Sequence, residues 1–112
     1  MNTQKSFPYT YDGVTLLVDY LRSPNGCPWD RGQTNDSLKE GLIEECYELV
    51  EAIETNDARE IVEEIGDVLL QIVLHIQIAS QSLNFPQEHV FKELIEKVVR
   101  RHPHVFDNKE AE

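Results

Sequence analysis

The chain has 112 residues, 40% of them hydrophobic, enough for one domain spanning 1–112 with a modest core. Its 21 acids against 10 bases leave a formal net charge of −11, which argues against a nucleic-acid polymer as partner, because such a partner selects a basic footprint. The longest apolar run, Val68 to Ala79, is broken by Gln71, His75 and Gln77 and is too short to span a bilayer, and the N-terminus has no apolar core of signal-peptide length.

A cytoplasmic protein without a membrane partner is expected. Cys27 and Cys46 lack C-x-x-C spacing and read as free thiols.

Residues 1–11 are polar, with Pro8, and read as an irregular arm. A first helix starts at Asp12-Gly13, and the recurrence of Val14, Leu17, Val18 and Leu21 marks its buried face. Ser23-Pro24-Asn25-Gly26 ends it. The stretch from Gly26 to Thr34 reads as a loop and holds the only tryptophan, Trp29. Trp29 is either a core plug or a platform on which a base stacks, since every nucleobase has a π face.

Ser37 and Glu40 are spaced as a capping box for a second helix that runs to about Glu54. Leu38, Leu42, Leu49 and Ile53 form its apolar stripe, widened by Ile43 and Val50. Thr55-Asn56-Asp57 reads as a turn, with Asp57 capping a long third helix to about Ser82 and Asn84 suiting its end. Pro86 and Glu88 open a fourth helix that closes on Lys97, Arg100 and Arg101, and 107–112 read as a frayed arm. The expectation is an all-α, four-helix bundle-like fold with the middle two helices as an antiparallel hairpin.

Residues 44–67 organise this hairpin. Glu45 and Glu48, then Glu64 and Asp67, are pairs three residues apart, each on one helix face. Glu48 and Glu64 each lie eight residues from Asn56, and Glu45 and Asp67 each lie eleven. The two pairs therefore stand at matching heights, roughly 12 and 16 Å from the turn. Packed helix axes are ~8–10 Å apart, within reach of inward-leaning carboxylates. Two unit charges ~4 Å apart repel by about 4 kcal/mol at an effective dielectric of ~20, so protonation or a cation must relieve such a cluster. All-oxygen sites suit magnesium or manganese. The same acids fit two solvated faces equally well, because the arithmetic fixes height and not facing. Asp67 favours the inward reading, since it enters a helix that is apolar on nearly every side. Gly66 beside it suggests close approach of a backbone or ligand.

Gly26-Cys27-Pro28-Trp29-Asp30, Glu44-Glu45-Cys46-Tyr47-Glu48, Glu63-Glu64-Ile65-Gly66-Asp67 and Arg100-Arg101-His102-Pro103-His104-Val105-Phe106 together resemble the MazG family of nucleoside triphosphate pyrophosphohydrolases, over about residues 12–106. Many members carry two such domains; this chain has one, and its motifs look like the first. The resemblance implies that Glu45, Glu48, Glu64 and Asp67 are magnesium ligands, with manganese a possible substitute. It implies a nucleoside triphosphate substrate cleaved between the α and β phosphates, giving a monophosphate and pyrophosphate and clearing surplus or non-standard nucleotides. It further implies a homodimer or dimer of dimers.

Among the remaining acids Glu44 is the candidate general base, with Glu63 or a ligand carboxylate as alternatives. Lys97, Arg100 and Arg101 suit the triphosphate's charge, Arg22 and Lys39 less so, and Trp29 suits the base. His75 reads as a satisfied core or interface histidine, and His102 and His104 are unsuited to an oxygen-based metal site. Two other readings share the scaffold: a phosphoribosyl-ATP pyrophosphohydrolase, which leaves the Gly26–Asp30 motif unexplained, and a catalytically weak helical dimer that binds nucleotide or a protein.

Overall fold

A computed structural model describes residues 6–107. In chain order the helices are α1 (Tyr11–Leu21), α2 (Pro28–Arg31), α3 (Asn35–Thr55), α4 (Ala58–Ser82), α5 (Glu88–Arg100) and α6 (Pro103–Phe106). The all-α architecture, its four principal helices and its central hairpin follow the sequence pattern; α2 and α6 are short additions. Of the two expected arms, 1–5 and 108–112 lie outside the described residues, and Tyr11 already belongs to α1.

The starts of α1, α3 and α4 are each set by a local side-chain cap, whereas α2, α5 and α6 begin without one. Thr10 is extended, and its hydroxyl accepts from the Gly13 N–H at 3.0 Å. The Gly26–Thr34 stretch is not all loop: Pro28 sits at the start of a single helical turn, where a missing N–H costs nothing. The capping box at α3 is displaced by three residues from the expected one. Thr34 Oγ1 accepts from the Ser37 N–H (3.0 Å), and Ser37 Oγ accepts from the Thr34 N–H (2.8 Å). Ser37 therefore sits inside the first turn, and Asn35 rather than Ser37 begins the helix. Asn56 ends α3 in the left-handed region (φ 59°), and Asp57 caps α4 through the Arg59 N–H at 2.9 Å. Asn84 is likewise left-handed (φ 60°) beyond α4.

The buried cluster is Val18 of α1, Leu38 of α3, and Val73, Leu74 and Ile78 of α4, with Val14, Leu69 and Leu70 packed against it. This core occupies the half of the hairpin remote from the Asn56 turn. In the half near the turn Ala52 is the buried apolar residue, while Ile53, expected on the apolar stripe, is 56% exposed. The acidic motifs stand in this uncovered half.

The molecule is elongated. Its radius of gyration is 17.5 Å, against ~13 Å for a compact domain of this size. α3 and α4 pack along each other and α1 packs on α4, whereas α5 meets chiefly α6, its neighbour in sequence. Tyr11 and Phe91 meet edge to face at 6.0 Å where α5 passes α1. Ile65, Ile72, Leu94, Ile95 and Val98 stay exposed, so one copy of the chain leaves α4 and α5 with uncovered apolar faces.

Candidate active site

Because the hairpin turns at Asn56, the acids on its two helices return to the same height. Glu45 and Glu48 of α3 and Glu64 of α4 each offer a carboxylate oxygen within 4.8 Å of the other two. Asp67 stands outside that group of three, yet its charge acts on both Glu45 and Glu64. Glu45, Glu64 and Asp67 are half-buried and Glu48 is exposed.

The cluster is electrostatically unrelieved. Oε1 of Glu45 and Oε1 of Glu64 are buried and accept no hydrogen bond. Desolvation is the main cause that holds the Glu45 carboxyl above the usual carboxylate range, followed by the charges of Glu48, Asp67 and Glu44. Glu64 is raised in the same order of causes, by desolvation, then Glu48, Asp67, Glu45 and Glu63. Among the described residues, no ion pair joins a cation to these acids. Orphaned buried carboxylate oxygens in an all-oxygen set fit a hard divalent cation.

A cleft of about 540 Å³ continues from the cluster toward the turn, lined by Glu48, Glu51, Thr55, Glu60, Glu63 and Glu64 among others. Sequence reasoning passed over Glu51 and Glu60. The signal for them was available: Glu51 is three residues beyond Glu48 and Glu60 four before Glu64, so both continue the same inner faces. Glu44 and Glu63 are exposed beside the cluster. A wider cleft, about 850 Å³, lies elsewhere, between the segment 6–11 and α1, and reaches Leu69 of α4; its lining among the described residues is largely apolar and aromatic, with Phe7, Pro8, Tyr9, Tyr11 and Val14.

The other sequence candidates are scattered in the single chain. Trp29, on α2, is 64% exposed, so it is no core plug. Lys97 and Arg100 on α5, and Arg101 at its C-cap, are exposed, with no hydrogen bond or ion pair to the acids among the described residues. Arg22 serves the fold instead. Its Nη1 donates to the carbonyls of Asp30 and Gln33 and ties the α2 segment to α1. Lys39 pairs with Asp36 at 2.9 Å. At Gly66 no other part of the chain lies within 4 Å of where a Cβ would stand, so the expected close approach does not occur within the chain. His75 is only half satisfied: Nδ1 contacts the Asn35 amide at 2.9 Å, while Nε2 is buried without a partner. The His102 and His104 rings are 5.7 Å apart and exposed. Cys27 and Cys46 are free.

Residues 33–106 match the model of the MazG nucleotide pyrophosphohydrolase domain. The chain is 53% identical over 96 residues to the nucleoside triphosphate pyrophosphohydrolase/pyrophosphatase MazG of Thermotoga maritima, covering 86% of this chain and 38% of that protein. It is 52% identical over 103 residues to the uncharacterized protein YabN of Bacillus subtilis, covering 92% and 21%. A nucleoside triphosphate pyrophosphohydrolase of Escherichia coli is 37% identical over 102 residues, with 90% and 39% covered. The chain thus spans less than half the length of these curated relatives. The crystal structure of a mazG-related protein from Thermotoga maritima superposes with a TM-score of 0.75 at 29% identity, covering 86% of this chain and 82% of that one.

Proposed function

The chain belongs to the MazG nucleotide pyrophosphohydrolase family, and from that premise we propose that it hydrolyses nucleoside triphosphates, ribo or deoxy, at the α–β anhydride. One water is consumed, and a nucleoside monophosphate and pyrophosphate are released. The observation that carries this reading is the convergence of Glu45, Glu48 and Glu64 from two helices, with two buried oxygens that no protein donor meets.

Glu45, Glu48, Glu64 and Asp67 would hold magnesium, with manganese as a substitute. The bound ion would supply neutralisation of phosphate charge and a more acidic water. Glu44, exposed and next to Glu45 in sequence, would accept the water's proton, with Glu63 as the alternative on α4. Trp29 would stack on the base, its exposed indole on a short helix supporting that role. Lys97, Arg100 and Arg101 would neutralise the outer phosphates.

In one chain α5 stands off the hairpin, so we place these bases at the acids within a homodimer or a dimer of dimers, where a partner covers α4 and α5. The 1–112 segment acts as one unit. No helix among the described residues is long and apolar enough to cross a membrane, and the nucleotide pool of the cytoplasm is the proposed setting, with clearance of surplus or non-standard nucleotides the proposed role.

The test is pyrophosphate release from a panel of ribo- and deoxynucleoside triphosphates with magnesium. Glu48→Gln and Asp67→Asn should each lose at least about a hundredfold in kcat while keeping wild-type helicity by circular dichroism, the scale expected when several kcal/mol of charge stabilisation is removed. A wild type that releases no pyrophosphate with magnesium or manganese would leave a nucleotide-binding domain in place of an enzyme.

A further inference from the structure

Four of the buried polar side-chain atoms without a hydrogen-bond partner lie on one seam between α3 and α4: Oε1 of Glu45, Glu64 and Gln71, and Nε2 of His75. Asp67, Gln71 and His75 are spaced by four residues on α4, so the seam leaves the carboxylates and runs away from the Asn56 turn. Gln71 and His75 stand ~6 and ~12 Å beyond Asp67 along the helix axis. Gly41 of α3 faces Gln71: a Cβ there would lie 3.7 Å from the amide. An alanine would rest against that amide, and a larger side chain would cover it.

The hydrogen-bonding sense of the seam is fixed by Asn35. Its Nδ2 donates to the His75 carbonyl at 3.2 Å and approaches His75 Nδ1 at 2.9 Å. An amide nitrogen only donates, so Nδ1 accepts and the neutral ring carries its proton on Nε2. The seam thus presents an acceptor, Gln71 Oε1, and one turn further a donor, His75 Nε2–H, both unmet. Unmet buried polar groups are costly, and a seam that retains two in succession is built for something that completes them.

The two directions from the cluster also differ in charge. Toward the turn the cleft is lined by Glu48, Glu51, Glu60, Glu63 and Glu64. Away from it the half-buried polar side chains of the seam are the neutral Gln71, His75 and Asn35, while Asp36, Lys39 and Glu40 of α3 are exposed. The polyphosphate and its cations belong to the acidic end, and the uncharged half of the substrate to the neutral one.

We infer that Gln71 and His75 are specificity-determining residues for the nucleoside half of the substrate, which lies along the α3–α4 seam and presents a donor to Gln71 and an acceptor to His75. This rests on the hydrolase reading given above. The complementary chemistry is a neighbouring donor and acceptor, carried either by a nucleobase edge or by ribose hydroxyls.

The experiment is calorimetric binding of α,β-methylene triphosphates, which resist cleavage at that bond, in four bases and in ribo and deoxy forms with magnesium. It compares wild type with Gln71→Leu and Gly41→Val. Gln71→Leu removes the unmet acceptor at similar volume, so its Tm is expected to hold or rise. Discrimination between the best and worst nucleoside should shrink about tenfold, one hydrogen bond's worth, with manganese affinity unchanged. Shrinkage across bases assigns the seam to the base edge, and shrinkage of the ribo/deoxy ratio alone assigns it to the sugar. Gly41→Val covers the amide from the opposite helix and should act in the same direction, even if Gln71→Leu does not fold. Unchanged discrimination in a folded variant overturns the inference and leaves a structural, water-closed seam. Because these analogues are not turned over, a wild type that binds them selectively but releases no pyrophosphate from natural triphosphates removes the hydrolase reading alone. A wild type that binds none removes both.

Discussion

Glu45 and Glu64 hold their protons to higher pH than an ordinary glutamate, first through desolvation and then through the charges of Glu48 and Asp67. A carboxyl raised in the folded state binds more protons folded than unfolded. Its contribution to stability is therefore fully present below the unfolded pKa and is lost as pH rises through the folded value. The metal-free protein is expected to melt higher at about pH 5 than at about pH 7.5, since the model-peptide value of a glutamate is ~4.3. Magnesium competes with those protons, so the rise in Tm on adding it should be larger at the higher pH. Glu64→Gln removes the repulsion and the ligand together. In EDTA it should melt above wild type, and it should lose the magnesium response. Thermal melts at the two pH values, with EDTA and with magnesium, decide this. A Glu64→Gln protein that melts lower than wild type in EDTA would contradict an acidic cluster under strain of its own charge.

At the scale of the elements, the site depends on the register of the hairpin, and the register depends on two adjacent residues. Asn56 takes the left-handed conformation at φ 59°, which costs a residue with a Cβ roughly 1–2 kcal/mol and costs asparagine less. Asn56→Gly should leave urea-unfolding stability within about 1 kcal/mol of wild type, whereas Asn56→Val should lose about 1–2 kcal/mol. Asp57→Ala removes the acceptor of the Arg59 N–H and should cost about 1 kcal/mol. Equal stability of the valine and glycine variants would show that the turn is not held in this conformation. The caps on α1 and α3 are just as local: Thr10 and the Thr34–Ser37 pair each satisfy first-turn N–H groups from three residues away.

For the whole molecule the uncovered apolar surface decides the behaviour. Along α4, Ile65 (51% exposed) and Ile72 (40%) recur seven residues apart, and α5 adds Leu94, Ile95 and Val98. Exposed apolar faces of this kind mark an interaction site. Light scattering after gel filtration should return at least twice the 13.0 kDa of one chain. Ile72→Glu places a charge in that face and should yield the single-chain mass with a lower Tm. A monomeric wild type would remove the partner-completed arrangement of Lys97, Arg100 and Arg101 at the acids.

How much of this was legible beforehand follows from the range of the forces involved. Helix bounds were readable to within a few residues at Asp57, Ser82 and Arg100, because periodicity and caps act over three or four residues. They failed at Ser37, where an equally valid capping box three residues earlier takes the helix start. The heights of Glu45, Glu48, Glu64 and Asp67 followed from counting outward from Asn56. Their facing did not, since rotation about a helix axis is set by which apolar stripe the neighbouring helix buries. By itself, then, the sequence determined an all-helical chain, its hairpin and a matched ladder of acids, all consequences of local geometry. Tertiary structure alone decided that three of those carboxylates meet with two oxygens unpaired, that Trp29 and Gly66 face open space, that α5 leaves the hairpin uncovered, and that Gln71 and His75 extend the polar seam. Those outcomes depend on the rotation and packing of helices distant in sequence, which no spacing rule contains.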